Sequence, residues 1–85
     1  MVDTRAIEVR YFAAAADASG CTTETLELPM ATTVGDVSAA VAARHGADMA
    51  RVLKVAAFLL DDELTRDAAA AVGDRIDVLP PFAGG

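Results

Sequence analysis

The chain has no tryptophan, one tyrosine, three phenylalanines, one histidine and one cysteine in 85 residues. The lone Cys21 excludes an internal disulfide and any multi-cysteine metal site, which fits a reducing, cytoplasmic setting. With one His and one Cys, no nucleophile–base pair is visible along the chain. No apolar run approaches the roughly 20 residues of a membrane span. The N-terminus carries Asp3 and lacks a basic segment followed by an apolar stretch, so it does not read as a signal peptide. Basic residues are few: seven, scattered, against thirteen acidic ones, for a net charge of -6. Binding to nucleic acid needs clustered phosphate-neutralising cations, so that class is set aside.

What is present is apolar but small. Hydrophobic residues make up 54% of the chain, yet 20 of the 85 residues are alanine. Alanine buries little area, so the core must rest on Val, Leu, Ile and the few aromatics. The length suits one domain, 1–85, with a tail over 80–85.

Hydrophobic period places the elements. Arg5 to Ala13 alternates, with Ile7, Val9 and Tyr11 on one face and Glu8 and Arg10 on the other, which predicts a strand. Ala14 to Cys21 breaks the alternation and reads as a loop or short helical turn. Thr22 to Leu28 alternates again, with Leu26 and Leu28 inward, and Pro29 ends the run. From Ala31 to Gly46 the period becomes helical. Thr33 and Asp36 form a capping box; Val34, Val37, Ala40 and Val41 form the apolar stripe; Arg44 and His45 suit the last turn, with Gly46 as a left-handed stop. Asp48 to Leu53 adds at most a short turn. Lys54 to Leu60 reads as a buried central strand, Asp61-Asp62 as a turn and Glu63 to Thr65 as a brief return strand. Ala68 to Ala71 is locally helical at best. Arg75 to Leu79 is the last strand, closed by Pro80-Pro81.

A single striped helix needs a sheet face to cover it. The first two strands pair as a hairpin, and the last lies most simply beside the first. The expected fold is α+β: a β-grasp, ubiquitin-like mixed sheet packed on one main helix, with a flexible C-terminal Gly-Gly tail.

The sequence closes on Pro80-Pro81-Phe82-Ala83-Gly84-Gly85. Glycine is roughly 7% of average sequence, so a terminal pair is about a 0.5% coincidence. Without a Cβ, Gly84 and Gly85 can pass a narrow channel and carry a terminal carboxylate into another protein's active site. Six extended residues span about 20 Å at most. Pro80 and Pro81 stiffen the base of that stalk and lower the entropy lost on threading. Phe82 is the large apolar group on the tail, either an anchor in a partner's pocket or a residue packed on its own domain.

These features together resemble a known family. Val9-Arg10-Tyr11-Phe12-Ala13, the helix start Thr33-Val34-Gly35-Asp36-Val37, and Gly73-Asp74-Arg75-Ile76-Asp77-Val78 running into the Pro-Pro-x-x-Gly-Gly ending look like the prokaryotic MoaD/ThiS sulfur carriers. The Pro-Pro pair resembles the molybdopterin synthase small-subunit (MoaD) type more than the shorter thiazole-synthesis carriers. Ala13 to Ala16, all alanine, depart from relatives that carry a charge after the first strand.

The resemblance implies a chemistry. The chain is not an enzyme by itself but the sulfur-donating subunit of a complex. An adenylyltransferase of the ubiquitin-activating type, using ATP and Mg²⁺, activates Gly85. A sulfurtransferase persulfide then converts it to a thiocarboxylate. That sulfur goes to cyclic pyranopterin monophosphate in the synthase large subunit, in molybdenum cofactor biosynthesis. No bound cofactor or metal is expected. Alternatives are a carrier for thiazole or cysteine synthesis, a ubiquitin-like modifier of lysines, and a binding module with an incidental tail.

Other residues are weighed beside these. Cys21 is expected to act as a small hydrophobe. His45 is expected to cap a helix, Asp61-Asp62-Glu63 to be a solvated turn, and Lys54 to be a surface residue at a strand start. Phe12, Phe58 and Leu60 either form an apolar docking patch or fill the core; both readings stand on the sequence. The expected partner contacts are therefore Pro80, Pro81, Phe82, Ala83, Phe12, Phe58 and Leu60.

Overall fold

The computed structural model describes residues 3–81. Eight elements follow in chain order: β1 (Thr4–Tyr11), α1 (Ala14–Ser19), β2 (Thr23–Pro29), α2 (Val34–His45), α3 (Ala47–Val55), β3 (Ala57–Leu60), β4 (Glu63–Thr65) and β5 (Arg75–Leu79). The strands form one mixed sheet in the order β2-β1-β5-β3-β4. β1 pairs antiparallel with β2 and parallel with β5, and β3 is antiparallel to both β4 and β5. This is the β-grasp arrangement, with the last strand beside the first.

Alternation in β1 puts Ile7, Val9 and Tyr11 under the helices, each at most 2% exposed. Leu26, Ile76, Val78 and Phe58 join them from the other strands. α2 covers this face with Val34, Val37 and Val41. Its start is held as the sequence implies: Thr33 Oγ1 accepts from the Asp36 amide at 3.3 Å, and Asp36 Oδ2 accepts from the Thr33 amide at 3.0 Å. The segment after β4 completes the cap. Val34 N donates to Ala70 O and Gly35 N to Ala68 O, each at 2.9 Å, which satisfies two further amides of the helix's open first turn. Each buried Val, Ile or Phe contributes about 1.5–3 kcal/mol relative to exposure.

The main departure from the sequence reading is α3. The sequence pattern predicts a short turn at 48–53 and a strand from Lys54. Instead one helix runs from Ala47 through Val55, and β3 begins at Ala57. Met49 and Leu53, one turn apart, are buried, with Val52 packed against the core beside them. That helical spacing outweighs the β-branched character of the end of the segment. Lys54 is therefore a helix residue, in the last turn of α3. Gly46 keeps a positive φ of 91° but an extended ψ of -162°, so it redirects the chain straight into α3 rather than ending a helix in the left-handed well. Ala14–Ser19 forms a short helix, closed by Gly20 at φ 76°.

Two non-glycine residues have positive φ, Asp61 at 56° and Ala13 at 51°. Asp61 lies in the two-residue connection between Leu60 and Glu63, where aspartate tolerates this backbone. Ala13 has no such excuse: its side chain sits in a region suited to glycine.

Candidate docking face and C-terminal segment

The helices cover one face of the sheet, so the other is open. The strand register defines a row across it: Thr23 opposite Arg10, Arg10 opposite Asp77, Asp77 opposite Leu59, and Leu59 opposite Leu64. Residues directly opposite share a face, so this row spans all five strands. Leu79 and Ala57, paired two residues along, lie on the same face. Phe12 joins them, because the Arg10 guanidinium stands 5.4 Å from its ring centroid. Phe12 is 37% exposed and Leu64 61%. At the end where Phe12 and Leu79 sit, and on the β3–β4 side, apolar side chains flank the Arg10–Asp77 pair, whereas Glu8, Thr25 and Arg75, one step along the strands on the same face, are polar.

That ion pair is unusual in its burial. Asp77 is only 5% exposed although it points away from the helices. Its Oδ1 lies 3.5 Å from Arg10 Nε but takes no hydrogen bond. Arg10 therefore lies between the Phe12 ring and a shielded carboxylate, and is fixed from both sides. Sequence reasoning assigned Asp77 no role. The signal was present: an acid between Ile76 and Val78, with the parity of Arg10 in the neighbouring strand.

Of the expected contact residues, Phe12 is on this face. Phe58 and Leu60 are not: Phe58 is buried in the core and Leu60 packs against it. They take the core reading because the antiparallel register sets Phe58 opposite Val78, a core residue of β5, so the even-numbered positions of β3 face the helices. Leu59 and Leu64 stand on the open face instead. Pro80 is half-buried and Pro81 exposed, directly after β5. Phe82, Ala83, Gly84 and Gly85 lie outside the described residues. Since β5 is the central strand, the C-terminal segment leaves from the middle of the sheet, at the end where Phe12 and Leu79 sit.

A second cluster ties the β1–β2 hairpin to the end of α2. Glu24 Oε1 accepts from the Tyr11 hydroxyl and lies 2.5 Å from His45 Nε2. Glu24 Oε2 accepts from Arg44 Nε at 2.9 Å. The Tyr11 and His45 rings meet edge to face, 5.8 Å apart. Burial by itself would raise the Glu24 carboxyl, but hydrogen bonds from Tyr11, His45 and Arg44 outweigh it and hold the group below its ordinary value. Burial, with the Glu24 carboxylate beside it, pushes the Tyr11 phenol far above its usual range. His45 is thus a partner of a β-strand carboxylate, not the expected helix cap. Cys21 is half-buried and packs against the core, as a small hydrophobe would. Among the described residues no group of three or more His, Cys, Asp or Glu side chains gathers as a metal site, and no helix is long and apolar enough to cross a membrane.

Family comparison matches residues 9–85 to the ThiS family. The chain belongs to the ThiS family. The match runs from Val9, within β1, through the final glycine, so the Arg10–Asp77 pair and the C-terminal segment both fall within it. Comparison with curated proteins gives no match. Among solved structures, SAMP1 from Haloferax volcanii superposes with a TM-score of 0.80 at 27% identity, over 95% of this chain and 100% of that one. A second structure of small archaeal modifier protein 1 from H. volcanii gives 0.75 at 26%, over 91% and 98%. A Pyrococcus furiosus protein described as molybdopterin converting factor, subunit 1, gives 0.72 at 20% identity, over 91% and 98%. At that identity the last likeness speaks for the fold alone. This ThiS-family chain is a small ubiquitin-like carrier or modifier, which is not an enzyme by itself.

Proposed function

We propose that this chain is the sulfur-carrying small subunit of a molybdopterin synthase, with Gly85 as the group that is charged and discharged. The observation that carries this reading is the junction of fold and tail. A family match running through residue 85 ends in Pro80-Pro81-Phe82-Ala83-Gly84-Gly85, attached to the central strand of the sheet.

A carboxylate is anionic and resonance-stabilised, hence a poor electrophile. Activation by ATP, with Mg²⁺, makes a mixed anhydride of the Gly85 carbonyl with AMP and releases pyrophosphate. A persulfide sulfur attacks that carbonyl and AMP leaves. Reductive cleavage of the sulfur–sulfur bond by a thiol frees the thiocarboxylate. Its sulfur, a soft nucleophile, then attacks cyclic pyranopterin monophosphate in the large subunit. The chain's own part is delivery. Gly84 gives steric clearance, Pro80 and Pro81 fix φ at the base of the arm, and Phe82 and Ala83 contact the partner's channel. The open face, with Phe12, Leu59, Leu64 and the Arg10–Asp77 pair, seats the large subunit and the adenylyltransferase in turn. Apolar side chains flanking a fixed ion pair fit such exchangeable docking.

The test is reconstitution. The carrier, charged by an adenylyltransferase and a sulfurtransferase, is mixed with a molybdopterin synthase large subunit and cyclic pyranopterin monophosphate. Molybdopterin formation supports the reading. Charging without product, but with product from a thiazole synthase, moves the carrier to that pathway.

A second reading is a ubiquitin-like protein modifier, favoured by the 27% identity with SAMP1 across nearly the whole chain. Cellular conjugates of higher mass that vanish when Gly85 is deleted would support it.

A further inference from the structure

On the helix side of the sheet, opposite the open face, lies a cleft of about 440 Å³ between α2, α3 and the segment after β4. Val34, Leu53 and Phe58 contribute to its apolar lining, with Ser38 beside them. Lys54 and Arg66 also line it. Both are exposed, and neither has a carboxylate within ion-pair distance among the described residues.

The placement of charge is selective. Of the seven Lys and Arg residues, Arg5, Arg10, Arg44 and Arg51 are in ion pairs. Lys54, the sole lysine, and Arg66 are two of the remaining three, and they meet at one cleft. The nearest acid in sequence, Asp67, is turned to its own loop: its Oδ1 accepts from the Ala69 amide at 2.9 Å. A chain of net charge -6 thus keeps two cations that are in no ion pair among the described residues at the rim of this cleft.

We infer that this cleft is a second docking site, for an acidic peptide segment of another protein that carries a large apolar side chain next to its carboxylates. The apolar side chain would lie against Ala39, Ala42 and Ala50, with the buried Leu53 and Phe58 at the floor of the cleft, and the carboxylates would reach Lys54 and Arg66. The cleft is open rather than enclosed, which suits a chain segment laid along it better than a small molecule needing burial on most sides. Because this cleft and the open sheet face lie on opposite sides, one molecule would hold a partner on each. The inference is independent of the chemistry at Gly85.

The experiment is a ¹⁵N–¹H titration of the full chain with an acetylated, amidated Glu-Asp-Leu-Phe-Glu-Asp peptide. A Lys-Arg-Leu-Phe-Lys-Arg peptide is the control. The expected result is saturable shifts at the Ser38, Ala39, Lys54 and Ala68 amides, absent with the basic peptide. Affinity should fall about tenfold in a Lys54→Glu, Arg66→Glu double variant, as for removal of complementary interface charges. Both side chains are exposed, so the variant should fold, and an unchanged far-UV spectrum checks this. No saturable shift by millimolar peptide, shifts confined to the open sheet face, or equal binding by wild type and double variant would overturn the inference.

Discussion

His45 Nε2 lies 2.5 Å from Glu24 Oε1, and the Tyr11 hydroxyl donates to the same oxygen. One carboxylate thus ties the end of α2 to both strands of the hairpin. Its side chain is 12% exposed, so losing the charge leaves donors without an adequate acceptor in a poorly hydrated place. Glu24→Gln should cost about 1.5–3 kcal/mol at neutral pH, the range for hydrogen bonds to a charged group. The sign with pH follows from the lowered carboxyl. Its contribution is fully present above the unfolded value of about 4.3 and is lost as pH falls through the lower folded value. Urea unfolding from pH 7 to 2 should show this acid limb in the wild type and a flatter one in Glu24→Gln.

Tyr11 predicts the opposite limb. Its folded value is raised, so its contribution is intact below the unfolded value of about 10 and declines as pH rises beyond it. Tyr11→Phe should lower stability at pH 7 by about 1–3 kcal/mol, for the partner left short of a donor. It should also remove the part of the alkaline loss that depends on this residue. Thermal unfolding at pH 8, 10 and 11 separates the two effects.

Ala13 stands at φ 51°, ψ -126°, directly after Phe12 on the open face of the sheet. Glycine adopts this backbone without strain. Ala13→Gly should therefore stabilise the chain, by about 1 kcal/mol from relief of the 1–3 kcal/mol usual for such residues, less the added unfolded-state entropy. A rise in the urea midpoint at constant slope checks it.

Strand alternation made the architecture legible. The 7–9–11 pattern of β1, the Thr33–Asp36 box and the proline stop after Leu79 each depend on a few neighbouring residues, and each is in place. What the sequence concealed depends on contacts between distant segments. Lys54 and Val55 open a short run that reads as strand in isolation, and only Met49 and Leu53 finding the core draws them into α3. That one change moves the start of β3 to Ala57, and the antiparallel register with β5, Phe58 opposite Val78 and Leu59 opposite Asp77, decides that Phe58 faces the core and Leu59 outward. The Arg10–Asp77 pair needed the parallel β1–β5 register, which no local pattern specifies. Likewise, His45 reads as a helix end until Glu24, 21 residues away, is brought beside it.

The face assignment gives a paired prediction. Leu64→Asp and Phe12→Asp should weaken binding to the large subunit or adenylyltransferase at least tenfold, roughly the cost of one interface hot spot. Their stability should stay within about 0.5 kcal/mol of wild type, as for exposed sites. Phe58→Ala should do the reverse to the fold, costing about 3–5 kcal/mol as a core truncation. Calorimetric binding together with urea unfolding of the three variants reads both outcomes. A surface role for Phe58 would instead leave its stability unchanged.

The most direct measurement is intact mass spectrometry of the purified chain after incubation with ATP, Mg²⁺, an adenylyltransferase of this family and a persulfide source. The account requires one oxygen at Gly85 to be replaced by sulfur, and no such change in a chain lacking Gly84 and Gly85. An unaltered mass under conditions that charge a known carrier, or sulfur found on Cys21 instead, would contradict it.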